Sequence, residues 1–152
     1  HAFGDAAITH VLSIIDPEAP VPAALTGYAA LRQHWLLRFH DVTSGSPGAR
    51  VPARADVEQI LSVAEELDQA PGDAHLLVHC HAGVSRSTAA AAILLARRNP
   101  GRETEAFQAV ARVRPEAWPN RRMVEIADEL LDRGGRLNAG LDALCAKRRH
   151  WL

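Results

Sequence analysis

The sequence predicts an α/β fold, in which a central and mostly parallel β-sheet is flanked by helices. One pattern favours this class. Short stretches rich in β-branched and apolar residues alternate along the chain with longer segments whose apolar residues recur at helical spacing. The chain has 152 residues, 47% of them hydrophobic, which is enough for one domain with a substantial core. We therefore expect residues 1–152 to form a single domain.

Three stretches are predicted to be strands, because each is rich in apolar residues and ends at a turn or loop signal. They are residues 8–15, 34–40 and 75–80. An alanine-rich segment between the first two, residues 23–33, is expected to form a short helix. Residues 41–52 (DVTSGSPGARVP) are rich in Gly, Ser and Pro and give the longest loop signal. Loops of about 12 residues are often functional.

Longer helices are predicted on both sides of the third strand. In the first of them, Val57, Ile60 and Leu67 share a face, and the helix runs from near Pro52 to Pro71. The second begins at about Arg86 and is apolar on nearly every face, which is typical of a buried helix. The second to fifth helices are expected at about residues 86–98, 103–113, 119–133 and 138–149.

Composition and charge exclude several classes of protein. Seventeen Lys and Arg residues against eighteen Asp and Glu give a formal net charge of −1, which argues against a broad nucleic-acid-binding surface. No apolar run reaches the roughly 18 residues that span a bilayer, so we expect no membrane insertion. The two cysteines, Cys80 and Cys145, are too few for a disulfide scaffold and fit a reducing compartment, the cytoplasm. Cys145 is interpreted as a buried structural thiol, with a redox pairing to Cys80 as the alternative.

The most informative segment is residues 79–87, HCHAGVSRS, where a strand passes through a short turn into a helix. Backbone N–H groups at such a junction can converge on one anion, and the helix dipole adds positive potential. Gly83 allows the turn a conformation that other residues resist. The guanidinium of Arg86 can hold two phosphate oxygens. In the same positive field, the pKa of Cys80 should fall, which would supply a thiolate for attack on phosphorus.

This segment resembles the signature of the cysteine-dependent protein tyrosine phosphatase superfamily, and its AGVSRS portion is most similar to the dual-specificity branch. The resemblance implies that Cys80 is the nucleophile, that Arg86 stabilises the transition state and that Ser87 hydrogen-bonds the sulfur. It implies a supporting role for His79, a phosphorylated protein or peptide as substrate, and no cofactor. The phosphate-binding loop it implies consists of His81, Ala82, Gly83, Val84, Ser85 and Arg86.

The family also uses a general acid, usually an aspartate on a loop upstream of the cysteine. We assign this role to Asp41, which opens the loop 41–52 as the family's acid does. Asp56 is the alternative, although its place at the start of a helix is explained by stabilisation of the helix N-terminus. Asn120 lies in a segment that resembles one approaching the active site. It is a candidate to support the acid loop, and capping of the following helix explains it equally well.

Three other functions compete with a protein phosphatase. A phosphoinositide or other small-molecule phosphatase would use the same chemistry, but positions 81–85 hold none of the extra lysines that such enzymes tend to carry. A non-catalytic phosphate-binding module usually loses the cysteine or the arginine, and this chain keeps both. A metal site needs three or four ligands, and no second cluster accompanies the one near the motif, so we predict no metal. That cluster consists of His75, His79, Cys80 and His81.

Overall fold

The computed structural model describes residues 7–22 and 30–149, which contain three strands and five helices. The strands are β1 (His10–Ile15), β2 (Gln33–Arg38) and β3 (Leu76–Cys80). The helices are α1 (Arg54–Asp68), α2 (Arg86–Arg98), α3 (Glu103–Val113), α4 (Arg121–Leu130) and α5 (Arg136–Arg149). None of these helices is both long enough and apolar enough to cross a membrane.

The three strands form a parallel sheet in the order β2-β1-β3, which confirms the predicted α/β class. β1 is central because its sequence, HVLSII, can be buried along its whole length, and all six of its residues are buried. Ser13 pairs in register with Leu36 on one side and with His79 on the other. The carboxyl ends of all three strands therefore meet at one edge of the sheet, where parallel α/β folds place their ligands.

Some predicted strand boundaries were wrong by a few residues. β2 ends at Arg38 rather than at residue 40, because the N–H of His40 donates to the carbonyl of Arg50 instead of to a neighbouring strand. The helix predicted for residues 23–33 lies mostly outside the described residues. Its last residue, Gln33, is the first residue of β2. Parallel pairing with β1 overrode the alanine-rich composition at that point.

Helices α4 and α5 also differ from their predicted limits. α4 begins at Arg121 rather than at 119, because the side chain of Asn120 caps it by accepting the N–H of Met123. α5 begins at Arg136, two residues earlier than predicted. The buried carboxylate of Asp128 accepts N–H groups from the first turn of α5, including that of Leu137 at 2.8 Å. An anion at a helix N-terminus stabilises the unpaired N–H groups there.

Helix α2 lies at the centre of the core, as its apolar sequence predicts. Four of its five alanines and Ile93 are buried, and the helix packs against β1 and β3 on one side and against α1, α3 and α4 on the others. Alanine is small enough to let α2 approach the sheet closely. The position of α2 is thus fixed by packing on several sides, and its first turn carries Arg86 and Ser87 into the edge of the sheet where the strands end.

A buried ion pair joins α3 to the turn that precedes α5. Arg133 Nη1 lies 2.7 Å from Glu103 Oε2, and both side chains are less than a tenth exposed. The same guanidinium donates to the carbonyl of Ala96 at the end of α2. Removing one partner of a buried pair leaves the other charge without compensation, which costs more than the pair itself contributes.

The variant Glu103→Ala is therefore expected to lower the free energy of unfolding by about 3–5 kcal/mol, measured by urea denaturation. The matched control is Glu105→Ala on the same helix, since Glu105 pairs with Arg102 at an exposed position, where an ion pair contributes little to stability. Equal losses in the two variants would contradict a structural role for the buried pair.

Candidate active site

The candidate site is the turn between the last residue of β3, Cys80, and the first residue of α2, Arg86. The turn spans residues 81–85 and joins a strand to a helix across the carboxyl edge of the sheet. Both flanking elements are held by the core, so the ends of the turn are fixed. This is the strand–loop–helix arrangement that the sequence predicts for an anion site.

Three consecutive carbonyls of this turn are bonded by one segment that joins α3 to α4. We call this segment, residues 114–120, the brace. The Nε–H of Arg114 donates to the carbonyl of Gly83 at 3.1 Å. Farther along, the backbone N–H of Trp118 donates to the carbonyl of Val84 at 2.8 Å. That of Asn120 donates to the carbonyl of Ser85 at 3.0 Å. These hydrogen bonds therefore hold the carbonyls of Gly83, Val84 and Ser85 against the brace.

Gly83 is favoured in this turn by its backbone conformation. Its φ of +69° lies in the left-handed region that residues with a Cβ rarely adopt. A Cβ added at this position would also lie 2.2 Å from Nη2 of Arg114, so the end of that side chain would have to move. The absence of a side chain thus allows both the backbone conformation and the close approach of the guanidinium to the turn.

Cys80 is half-buried, and its sulfur lies within hydrogen-bonding distance of both the hydroxyl and the backbone N–H of Ser87. The hydroxyl of Ser87 lies 3.2 Å from Sγ, and the backbone N–H of the same residue donates to Sγ at 3.4 Å. Burial alone would raise the pKa of the Cys80 thiol. Hydrogen bonds from the Ser87 hydroxyl and from the N–H groups of Ser87 and Gly83, together with the charge of Arg86, outweigh burial and lower that pKa.

The guanidinium of Arg86 is buried and held along one edge. Its Nη1 donates to Asp16 Oδ1 and to the carbonyl of Phe39, both at 2.7 Å. Its Nε is buried and has no hydrogen-bond partner among the described residues. A buried donor without an acceptor is costly, and such groups mark places where a ligand can supply the missing partner. The role of Asp16 as the anchor of Arg86 was not predicted from the sequence.

Asp41 lies in the loop after β2 and is tied directly to the turn. Its Oδ1 accepts the hydroxyl of Ser85 at 2.6 Å and the side-chain amide of Asn120 at 2.9 Å. The amide also donates to the carbonyl of Val42 at 3.1 Å. Asn120 is buried and at the same time caps α4 through its Oδ1. Both interpretations of Asn120 offered by the sequence therefore describe contacts that the structure contains.

Asp56 has a different environment. It is buried in the first turn of α1, where its carboxylate accepts the N–H of Ala53 at 2.8 Å and pairs with Arg50 at 3.0 Å. These contacts match the helix-stabilising interpretation. No hydrogen bond found for this carboxylate joins it to residues 80–87.

His79 takes part in a partly buried hydrogen-bonded contact that crosses the sheet. The hydroxyl of Ser13 lies 2.5 Å from Nε2 of His79 and 2.7 Å from Nε2 of His34, so one residue of β1 joins imidazoles on β3 and β2. A hydroxyl has one proton, so it donates to one ring and accepts from the other. Burial and the nearby imidazole of His34 lower the pKa of His79 and favour its neutral form.

The remaining predicted residues divide between the surface and the core. His81 is exposed, and Cys145 is buried in α5. The residues that sequence reasoning missed are Asp16, Ser13, Arg114 and Trp118. Of these, only Asp16 gave a usable signal, because it directly follows β1 at the edge of the sheet where ligands bind in such folds.

Comparison with known proteins gives a fold but no sequence family. No family model and no curated protein sequence matches the chain. Among the solved structures, human DUSP28 aligns with a TM-score of 0.61 at 24% identity, over 84% of this chain and 76% of that one. Human tyrosine phosphatase-like serine/threonine/tyrosine-interacting protein aligns with a TM-score of 0.61 at 21% identity, over 81% of this chain and 76% of that one. PTPMT1 in complex with PI(5)P aligns with a TM-score of 0.60 at 20% identity, over 82% of this chain and 77% of that one.

These likenesses show that the chain has the fold of the dual-specificity phosphatases, which confirms the fold that the sequence resemblance implies. The shared fold carries no information by itself about activity or substrate, because one fold hosts many functions. Activity and substrate must therefore be inferred from the contacts of Cys80, Arg86 and Asp41.

The environment of Cys80 predicts its reactivity. In a Cys145→Ala background, the rate of iodoacetamide alkylation should rise with pH around a midpoint below that of an ordinary cysteine. Ser87→Ala removes a hydrogen bond to the thiolate, so the pKa of Cys80 should rise and alkylation at neutral pH should slow about tenfold. The control is Ser62→Ala on the exposed face of α1. A profile unchanged by Ser87→Ala would show that this hydroxyl does not stabilise the thiolate.

Proposed function

We propose that this chain hydrolyses phosphate monoesters, chiefly phosphotyrosine in proteins, through a cysteinyl-phosphate intermediate and without a metal ion. The observation that carries the proposal is the convergence of three groups on one turn. Cys80 has a lowered thiol pKa, Arg86 has a buried Nε without a partner in the described part of the chain, and Asp41 is hydrogen-bonded to Ser85 of the turn. A nucleophile, an anion-binding group and a proton donor are the parts that this reaction requires.

In the first step, the Cys80 thiolate attacks phosphorus and the bond from phosphorus to the leaving oxygen breaks. The N–H groups of the turn and the guanidinium of Arg86 bind the non-bridging oxygens, whose charge they stabilise in the transition state. Nη1 of Arg86 is already used by Asp16 and Phe39, which leaves Nε as a buried donor for phosphate. Asp41 in its protonated form gives its proton to the leaving oxygen.

In the second step, water attacks the cysteinyl-phosphate and releases inorganic phosphate. Asp41, now ionised, accepts a proton from this water as general base. The sulfur departs as a thiolate, and the hydroxyl of Ser87 is within hydrogen-bonding distance of it, at 3.2 Å. The interactions that lower the pKa of Cys80 thus serve both steps, because they stabilise the thiolate as nucleophile and as leaving group.

The contacts of the two candidate acids support Asp41 in preference to Asp56. Asp41 is exposed at the turn and is held there by Ser85 and Asn120. Asp56 is buried and occupied by Ala53 and Arg50. We assign Asn120 the role of a positioning residue, because its amide bonds both Asp41 and the next carbonyl of the acid loop.

A small-molecule or phosphoinositide phosphatase is the second candidate function, since PTPMT1, solved with PI(5)P, shares the fold. The turn itself, residues 81–85, contains no lysine or arginine to bind additional phosphates. A non-catalytic phosphate-binding module is the third candidate, and it differs from the others by binding without turnover. A panel of phosphotyrosine peptides, phosphoserine peptides and inositol phosphates, assayed with and without a chelator, separates these candidates.

Cys80→Ser should abolish hydrolysis of p-nitrophenyl phosphate and of phosphopeptides, while binding of the phosphopeptides persists. Arg86→Lys keeps the charge but loses the planar donor edge, so it should lower activity by at least about a hundredfold. Release of inorganic phosphate is the measurement. Full activity of Cys80→Ser, or loss of wild-type activity in the chelator, would overturn the proposed mechanism.

Asp41→Asn should slow hydrolysis of a phosphoserine peptide by about 10²–10⁴-fold, because an alkoxide leaves poorly without a proton. The loss should be smaller for p-nitrophenyl phosphate, whose leaving group is a stable anion. A merely structural defect would lower both rates equally. The comparison variant is Asp56→Asn, which should change stability rather than the ratio of the two rates.

Asn120→Ser tests the tether on Asp41 separately from the helix cap. Serine is as good a cap as asparagine, so the cap on α4 should be kept. Its shorter side chain does not reach Asp41, and we expect the same substrate-dependent loss as for Asp41→Asn but smaller. A loss of activity that is the same for both leaving groups would refute a positioning role for Asn120.

A further inference from the structure

Trp118 is a large apolar side chain left exposed beside the proposed active site. Its relative exposure is 40%, and it belongs to the brace, where its backbone N–H is fixed to the carbonyl of Val84. Single exposed apolar residues are common, so exposure alone says little. The position of this one is informative, because it lines a cleft of about 550 Å³ together with Asp41, Ser85 and Asn120.

Two clefts adjoin Asp41, and they differ in what else lines them. One contains Arg86 and Asp16. The other contains Trp118 and lacks both of those residues. In the proposed reaction, the phosphoryl group contacts Arg86, while the leaving oxygen contacts Asp41. A substrate whose remaining part extends past Asp41 on the side away from Arg86 would enter the cleft that Trp118 lines.

We propose that Trp118 is a specificity-determining residue whose indole packs against the aromatic ring of phosphotyrosine. This inference depends on the proposed function, and it names phosphotyrosine as the preferred substrate. A tyrosine places a flat ring between its phosphate and the peptide backbone. The short side chain of phosphoserine offers no ring for the indole to contact. Since aromatic contacts are selective for geometry, Trp118 favours aryl phosphates over alkyl phosphates.

The anchoring of Trp118 strengthens this assignment. Its backbone is bonded to Val84, within the same turn that joins Cys80 to Arg86. Two residues farther along the chain, the side-chain amide of Asn120 donates a hydrogen bond to Asp41. The indole is thus attached to the framework that positions the nucleophile and the acid. The backbone that carries the ring is therefore already in place before a substrate binds.

The test compares one peptide sequence that carries either phosphotyrosine or phosphoserine. We expect Trp118→Ala to lower kcat/KM for the phosphotyrosine peptide about three- to tenfold and to leave the phosphoserine peptide within about twofold. Trp118→Phe should retain most of the preference, because it keeps an aromatic face. The matched control is Leu95→Ala, since Leu95 is similarly exposed at 38% but lies on the opposite end of α2 from the turn. Thermal unfolding of each variant shows whether it is folded.

Binding measurements distinguish failure of this inference from failure of the proposed function. In a Cys80→Ser background, Trp118→Ala should weaken binding of the phosphotyrosine peptide by a similar factor and spare the phosphoserine peptide. This result would support the aromatic contact even if the wild-type chain hydrolyses neither peptide, which would refute the proposed function alone. Equal effects of Trp118→Ala on the two peptides, or a wild-type preference for phosphoserine, would overturn the role of Trp118 while leaving phosphatase activity standing.

Discussion

The hydrogen bonds between the brace and the turn after β3 are the contacts on which the site most depends. A turn whose N–H groups bind an anion needs hydrogen-bond donors for its carbonyls from elsewhere in the fold, since buried carbonyls are rarely left unpaired. Arg114, Trp118 and Asn120 bond three consecutive carbonyls of this turn. The brace joins α3 to α4, so the packing of those helices against α2 fixes the shape of the turn from outside.

The same brace links the turn to the proposed acid. Asn120 donates through its backbone to Ser85 and through its side chain to Asp41, while the hydroxyl of Ser85 also donates to Asp41. Ser85 is the N-cap residue of α2, yet its hydroxyl makes no cap and bonds the acid loop instead. A group that donates one proton and accepts another must hold a defined distance from the reacting atoms, and this three-residue connection provides that restraint.

The sequence was sufficient for the parts of the site that are contiguous in the chain. Cys80, the turn and Arg86 lie within a few residues of one another, so their chemistry and spacing predict their arrangement. Asp41 could be selected because it follows a strand and opens a loop. Asp16 and Arg86, by contrast, are 70 residues apart, and Arg114 is 31 residues from Gly83. Asp16 could be placed at the ligand-binding edge because it follows β1, but no local pattern records that Arg86 is its partner or that Arg114 reaches the turn.

The proposed reaction depends on a covalent bond between Cys80 and phosphorus. The most direct measurement is rapid acid quenching of the chain during turnover of a phosphotyrosine peptide, followed by mass spectrometry of the peptide that contains residue 80. The proposed reaction predicts a single phosphoryl adduct on Cys80. The adduct should be enriched when Asp41→Asn slows attack by water, and it should be absent from Cys80→Ser. Steady turnover by the wild-type chain with no adduct on Cys80, or with an adduct on another residue, would contradict it.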